Sequence, residues 1–198
     1  RTIIFRKLKQ LEGVVSMSLA DKPKTAGWAY SEALDDFQAE SDGVFRLHQV
    51  YAAADANYTG KVTVPTLWDR ERRTIVNNES SEIIRMFNSG FRAHTSVSYD
   101  FYPEVLRGEI DKINELVYSH FNNGVYRAGF ARSQEAYDEA VKKVFVCLDQ
   151  MEKWLSARRY LAGDRITEVD WRAFPTLLRF DPVYHGHFKC NLRRVQDY

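Results

Sequence analysis

Glu79, Ser80 and Ser81 are the residues of this chain best suited to hold a charged ligand. They open a segment in which Ile83, Ile84, Phe87 and Phe91 recur at helical spacing. Ser80 or Ser81 is a good N-cap, and the unpaired backbone N–H groups and positive dipole end of a helix favour a carboxylate there. Glu79 beside them takes an ammonium group, so the cluster suits a zwitterionic amino-acid head. The other reading of the same residues is a capped helix with an acidic first turn and no ligand.

Thiol chemistry is hard to place. There are two cysteines. Cys147 falls in the apolar register of a long helix, where a buried inert thiol is the default. Cys190 follows Phe188 and Lys189, and nothing puts it at a helix start, where a thiolate is stabilised. Tyr126 and Tyr184 are flanked by apolar residues and read either as satisfied core phenols or as hydrogen-bond donors to a substrate. His185, His187 and Cys190 offer imidazole and thiolate, but their spacing matches no paired-ligand pattern, so no metal site is read.

The elements that must position these groups come from the patterning. Val62-Thr63-Val64 and Thr66-Leu67-Trp68 are strand-like runs broken by Pro65, which points to an edge, a bulge or a tight turn, with a cis Val64–Pro65 bond a candidate. Asp69 to Arg73 reads as a hairpin turn and Thr74-Ile75-Val76 as the returning strand. Upstream, Ile3, Ile4, Leu8 and Leu11 fit an amphipathic helix, the alternation over residues 14–18 predicts a strand, and Phe45, Leu47, Val50 and Tyr51 suggest a helix. Downstream the strand signals vanish. Leu106, Ile110, Ile113, Val117 and Phe121 predict one long helix, and Tyr137 through Leu155 a second antiparallel to it, joined at Asn122-Asn123-Gly124. Thr167 and Asp170 form a capping-box pair before Trp171 and Phe174, and both are read as structural.

Several of these motifs carry a resemblance. Val64-Pro65 and Glu79-Ser80 match a thioredoxin-like glutathione-binding domain. The stretches VTVPTLWD, TIVNNESSEIIRM, NNGVYRAGFA and RFDPVYHGHFKCNLRR resemble, more narrowly, the Xi-class glutathione transferases, the glutathionyl-hydroquinone reductases. The resemblance runs over almost the whole chain. It implies an α/β thioredoxin-like domain over residues 1–90 with its first strand missing, a linker over residues 91–102, and an all-α helical domain over residues 103–198.

The implied reaction reduces glutathionyl-hydroquinones to hydroquinones and forms glutathione disulfide, with glutathione as co-substrate and no metal. Glu79 and Ser80 are expected to hold the γ-glutamyl head, Val64 and Pro65 to meet the peptide backbone, and Trp28 to cover the tripeptide. Tyr126, Tyr184 and His185 are expected to address the quinol ring. In the family a Cys-Pro-Trp motif opens the first helix, and Arg1-Thr2 resemble the residues just after it, so the nucleophilic cysteine is expected before Arg1 and no catalytic thiol within this chain. The family also implies a homodimer. Two rivals stand beside this reading: an Omega-like thiol transferase or dehydroascorbate reductase, and a catalytically silent interaction module of the same fold.

Composition narrows the class further. A chain of 198 residues with 44% hydrophobic content has enough apolar surface for one large or two small cores. A net charge of +1 makes no electrostatic case for nucleic acid or an anionic membrane. No apolar run reaches the length of a bilayer-spanning helix and no signal-peptide pattern opens the chain. Two cysteines make no disulfide framework, so a reducing, cytoplasmic setting is expected.

Overall fold

The structure, a computed structural model, describes residues 1–21, 27–30 and 37–198. The chain divides into two compact units, Thr2–Ser98 and Tyr99–Tyr198, with Arg1 belonging to the second.

The first unit is α/β. Helix α1 (Thr2–Leu8) buries Phe5 completely, and Leu11 just beyond it is equally buried. Lys9 is also buried, which is tolerable because its Nζ donates to Val97 O at 3.0 Å. Residues 14–18 form no strand. Val14 N and Val15 N instead donate back to Leu11 O at 3.0 and 2.8 Å, and a strand exists only through the ladder that satisfies its backbone. Short strands β1 (Ala20–Asp21), β2 (Ala29–Tyr30) and β3 (Phe45–Arg46) pair antiparallel in that order. Helix α2 (Leu47–Ala54) comes directly after β3 and buries Leu47, Val50 and Tyr51.

The hairpin comes next. Strand β4 (Leu67–Asp69) pairs antiparallel with β5 (Thr74–Asn77), with a bulge between Leu67 and Trp68. The turn between them places Arg73 at φ 50° and is tied by Asp69 Oδ1, which accepts from Glu71 N and Arg72 N. The Val64–Pro65 bond is cis. Residues 62–64 lie outside the strand that their β-branched run suggested, because Thr63 O accepts from the Tyr51 hydroxyl at 2.9 Å rather than from a neighbouring strand. Helix α3 (Ser80–Arg85) then starts directly after β5, and Ile83 and Ile84 face inward.

The second unit is all helical. Helix α4 (Arg107–Leu116) runs on as a wider π turn over Val117–Asn122. The expected direct joint at Asn122-Asn123-Gly124 is corrected: Gly124 opens a short helix α5 (Gly124–Gly129), and the long helix α6 (Gln134–Leu155) begins only afterwards, capped by Ser133 Oγ. Gly124 is there for close approach rather than for stopping a helix, since a Cβ on it would lie 2.9 Å from Val144. Helix α7 (Glu168–Arg179) is succeeded by a π turn over Phe180–Tyr184 and a last turn of helix, α8 (His185–His187). Ile110, Ile113, Phe121, Val144, Leu148 and Phe180 are among the side chains that build one core. The start of α7 is a capping box in which Asp170 Oδ2 accepts from Thr167 N at 2.8 Å. Next to it the buried Glu168 carboxylate accepts from Asn114 Nδ2 at 2.8 Å and lies 3.7 Å from the Arg172 guanidinium.

Candidate functional site

In the first unit the end of β5 feeds straight into α3, and the polar residues at that corner hold one another. Asn77 Oδ1 accepts from Glu79 N at 2.7 Å. The N-cap is Glu79, not Ser80 or Ser81: its Oε1 accepts from Ser81 N at 3.1 Å, Ser81 Oγ at 3.0 Å and Ser80 Oγ at 3.4 Å. The Glu79 carboxylate also brings a negative charge to the positive end of the helix. Both serine hydroxyls therefore converge on one carboxylate, on an exposed corner. This arrangement presents an anion and two hydroxyls to solvent, a pattern that an ammonium-bearing ligand can use.

The loop carrying Val64 and Pro65 borders a cavity of about 940 Å³. Thr66, Trp68, Tyr30 and Phe37 share that lining, with Ile3, Arg6 and residues 14–20 also on it. Val64 is 41% exposed at the edge of this cavity. Glu79, Ser80 and Trp28 are not on this lining. Trp28 packs instead against the buried Leu47, Val50 and Tyr51 of α2, and its carbonyl accepts from Leu47 N. The sequence motifs thus fall into three places in this unit: the cis-proline loop, the Glu79 corner, and the α2 cluster.

In the second unit the two singled-out tyrosines meet. Their hydroxyls are 3.1 Å apart and their rings cross at 66° with centroids 5.7 Å apart. Tyr184 is 4% exposed whereas Tyr126 is 45% exposed. Burial, and then the hydrogen bond to Tyr126, push the Tyr184 phenol well above its ordinary pKa. It stays protonated at neutral pH and is fit to donate. Phe188 packs on both tyrosines at 5.3 and 5.4 Å, and Phe130, largely exposed, packs on Phe188 at 5.2 Å. A Cβ on Gly129 would lie 2.3 Å from Phe188, so the glycine is what lets this ring in. Sequence reasoning missed Gly129, Phe130 and Phe188, although the Gly-Phe pair inside NNGVYRAGFA was the available signal. His185 stands next to Tyr184 in α8 and is partly exposed.

Neither thiol is poised to react. Cys147 and Cys190 are both fully buried, and burial pushes their pKa values up to about 12 and about 11. Among the described residues no group of three or more His, Cys, Asp or Glu side chains is arranged to hold a metal ion, and no helix is long and apolar enough to cross a membrane.

An α/β unit with a cis-proline loop and a capped helix start, joined in sequence to a helical unit with a buried capping box, defines a glutathione transferase. Residues 1–89 match the family model of the glutathione S-transferase N-terminal domain, which is thioredoxin-like, and residues 134–198 that of the C-terminal domain. Within that family the chain belongs to the Xi class. It is 47% identical to the solved structure of glutathione transferase Xi 1 from Trametes versicolor, with a TM-score of 0.90, covering 99% of this chain and 70% of that one. It is 51% identical to the glutathionyl-hydroquinone reductase PcpF of Sphingobium chlorophenolicum over 100% of this chain and 64% of that protein. It is 49% identical to the glutathionyl-hydroquinone reductase YqjG of Escherichia coli K12, over 100% and 61%. The glutathione-bound structure of YqjG superposes with a TM-score of 0.91 at 48% identity, over 100% of this chain and 65% of that one. The chain therefore spans a little under two thirds of the length of these two curated relatives.

Proposed function

We propose that this chain forms the glutathione-binding and quinol-recognising part of a glutathionyl-hydroquinone reductase. The observation that carries the reading is 51% identity along the whole chain to a protein of that activity. The substrate class is a hydroquinone bearing a glutathionyl thioether, and reduced glutathione is the co-substrate. A cysteine thiolate attacks the glutathionyl sulfur, the sulfur–aryl bond breaks, and its electron pair goes to the ring carbon, which takes up a proton to give the hydroquinone. The enzyme–glutathione mixed disulfide is then cleaved by the thiolate of a second glutathione, releasing glutathione disulfide and restoring the enzyme thiolate.

The buried, high-pKa thiols of Cys147 and Cys190 are unsuited to that attack, so the proposal assigns it to a cysteine before Arg1. Glu79 takes the ammonium of the γ-glutamyl head with help from Ser80, and the backbone of Val64, beside Pro65, pairs with the peptide. Trp28 is proposed to cover the tripeptide. Tyr126, Tyr184 and His185 address the ring: a neutral phenol donor stabilises charge developing on a quinol oxygen without itself ionising. A homodimer in the cytoplasm completes the proposal.

Turnover tests it. The intact natural protein, given a glutathionyl-hydroquinone and glutathione, should release one hydroquinone for each glutathione disulfide formed. Absence of released hydroquinone would overturn the reading. Dehydroascorbate turned over faster than the glutathionyl-hydroquinone would move the chain to Omega-like chemistry.

A further inference from the structure

The cis-proline loop and the Glu79 corner are separate pieces of chain, and one side chain joins them. Tyr51 lies in α2 with 2% of its surface exposed. Its hydroxyl donates to Thr63 O at 2.9 Å and accepts from Asn78 Nδ2 at 3.0 Å. Thr66 Oγ1 sits 3.5 Å from the same oxygen and itself donates to Thr63 O at 3.1 Å. Asn78 Nδ2 is also 3.4 Å from Thr63 Oγ1. The phenol thus ties Thr63, on one side of Val64–Pro65, to the residue immediately before Glu79, and Thr66 on the other side is held to the same acceptor, Thr63 O. The ring itself is fixed by Tyr58, whose centroid is 4.9 Å away. Burial raises the Tyr51 pKa, but the polar groups of Thr63, Thr66 and Asn78 around its oxygen, with Thr63 N and Asn78 Nδ2 donating to it, outweigh burial and leave the phenol below its ordinary value.

We infer that Tyr51 is a positioning residue for glutathione, setting the spacing between the backbone of Val64 and the carboxylate of Glu79 before the ligand arrives. The inference rests on the glutathione reading proposed for this chain. A tripeptide that is held at its peptide backbone by one segment and at its amino-acid head by another binds tightly only if the two are already in register; otherwise the ordering is charged against affinity. Tyr51 touches neither ligand-facing group directly, so it acts through Thr63, Thr66 and Asn78. From sequence it is a helical aromatic at core spacing, which is why it reads as packing.

The test is calorimetric titration of glutathione into the intact natural protein and its Tyr51→Phe, Asn78→Ala, double and Glu79→Ala variants, with steady-state kinetics and thermal midpoints alongside. Tyr51→Phe keeps the ring and removes one oxygen. Asn78→Ala cuts the same link from an exposed position. Both single variants should weaken glutathione three- to tenfold and raise its KM by more than they lower kcat. The double variant should be little worse than either single one, because both break one connection. Unchanged glutathione affinity in Tyr51→Phe and Asn78→Ala, with only a lower thermal midpoint, would make Tyr51 purely structural and overturn the inference, provided Glu79→Ala still weakens binding. If Glu79→Ala also leaves affinity unchanged, the glutathione reading of this corner fails and the inference goes with it.

Discussion

Replacing Asp170 with alanine should destabilise the helical unit severely, and the size of the loss can be worked from its contacts. Asp170 Oδ1 accepts from Leu161 N and Oδ2 from Thr167 N, both at 2.8 Å, and Thr167 Oγ1 lies 3.2 Å from Oδ2. Leu161 and Thr167 are 3% and 0% exposed, so water does not readily replace the lost acceptor. Each buried N–H left unsatisfied costs about 1–3 kcal/mol. Two of them give a loss of about 2–6 kcal/mol, above the roughly 0.5–2 kcal/mol of an ordinary cap. At roughly 2–4 °C per kcal/mol for a chain of this size, a loss of about 3 kcal/mol lowers the melting point by roughly 6–12 °C. Asp170→Asn keeps the shape and one acceptor oxygen but turns an NH2 group toward one of the two donors, so it should fall between alanine and the native residue. Chemical denaturation monitored by helical circular dichroism reads all three proteins. A loss under about 0.5 kcal/mol in Asp170→Ala, the range of an ordinary surface substitution, would refute the reasoning.

Two further perturbations probe the thiols and the aromatic cluster. Gly129→Ala places a methyl group 2.3 Å from Phe188 and should cost about 1–3 kcal/mol by overpacking, with slower quinol release because Phe188 supports Tyr126 and Tyr184; native-like stability and turnover would contradict it. Cys147 and Cys190 should resist a thiol reagent at pH 8 in the folded protein and react on unfolding. Their folded pKa values, about 12 and about 11, lie above the roughly 8.5 of an unfolded thiol, so their contribution to stability is complete below about pH 8.5 and is lost as pH rises toward 11–12. Denaturation midpoints measured across that range check the sign.

Local chemistry was legible where a short motif dictates a short structure. The run from Pro65 through the Asp69 turn to β5 and α3 is dictated by proline, a charged turn and β-branched residues in succession, and the Thr167–Asp170 pair by capping-box spacing. Features that depended on distant partners were not legible. Residues 14–18 alternate like a strand yet turn back on Leu11, because alternation says which face is apolar and nothing about what pairs with the backbone. Gly124 reads as a helix stop but serves close packing against Val144, a fact fixed by α6 rather than by its neighbours in sequence. Glu79 rather than a serine caps α3, although the serines are the better caps by residue type. The Tyr126–Tyr184 contact joins positions 58 residues apart, beyond any local signal.

The measurement that bears most directly on the reductase reading is intact-mass spectrometry of the natural protein after exposure to a glutathionyl-hydroquinone without added glutathione, with the adduct mapped by peptide. The account predicts one glutathione in disulfide linkage on a cysteine other than Cys147 and Cys190, with hydroquinone released in equal amount. An adduct on either of those buried thiols, or hydroquinone released with no adduct formed at all, would contradict it.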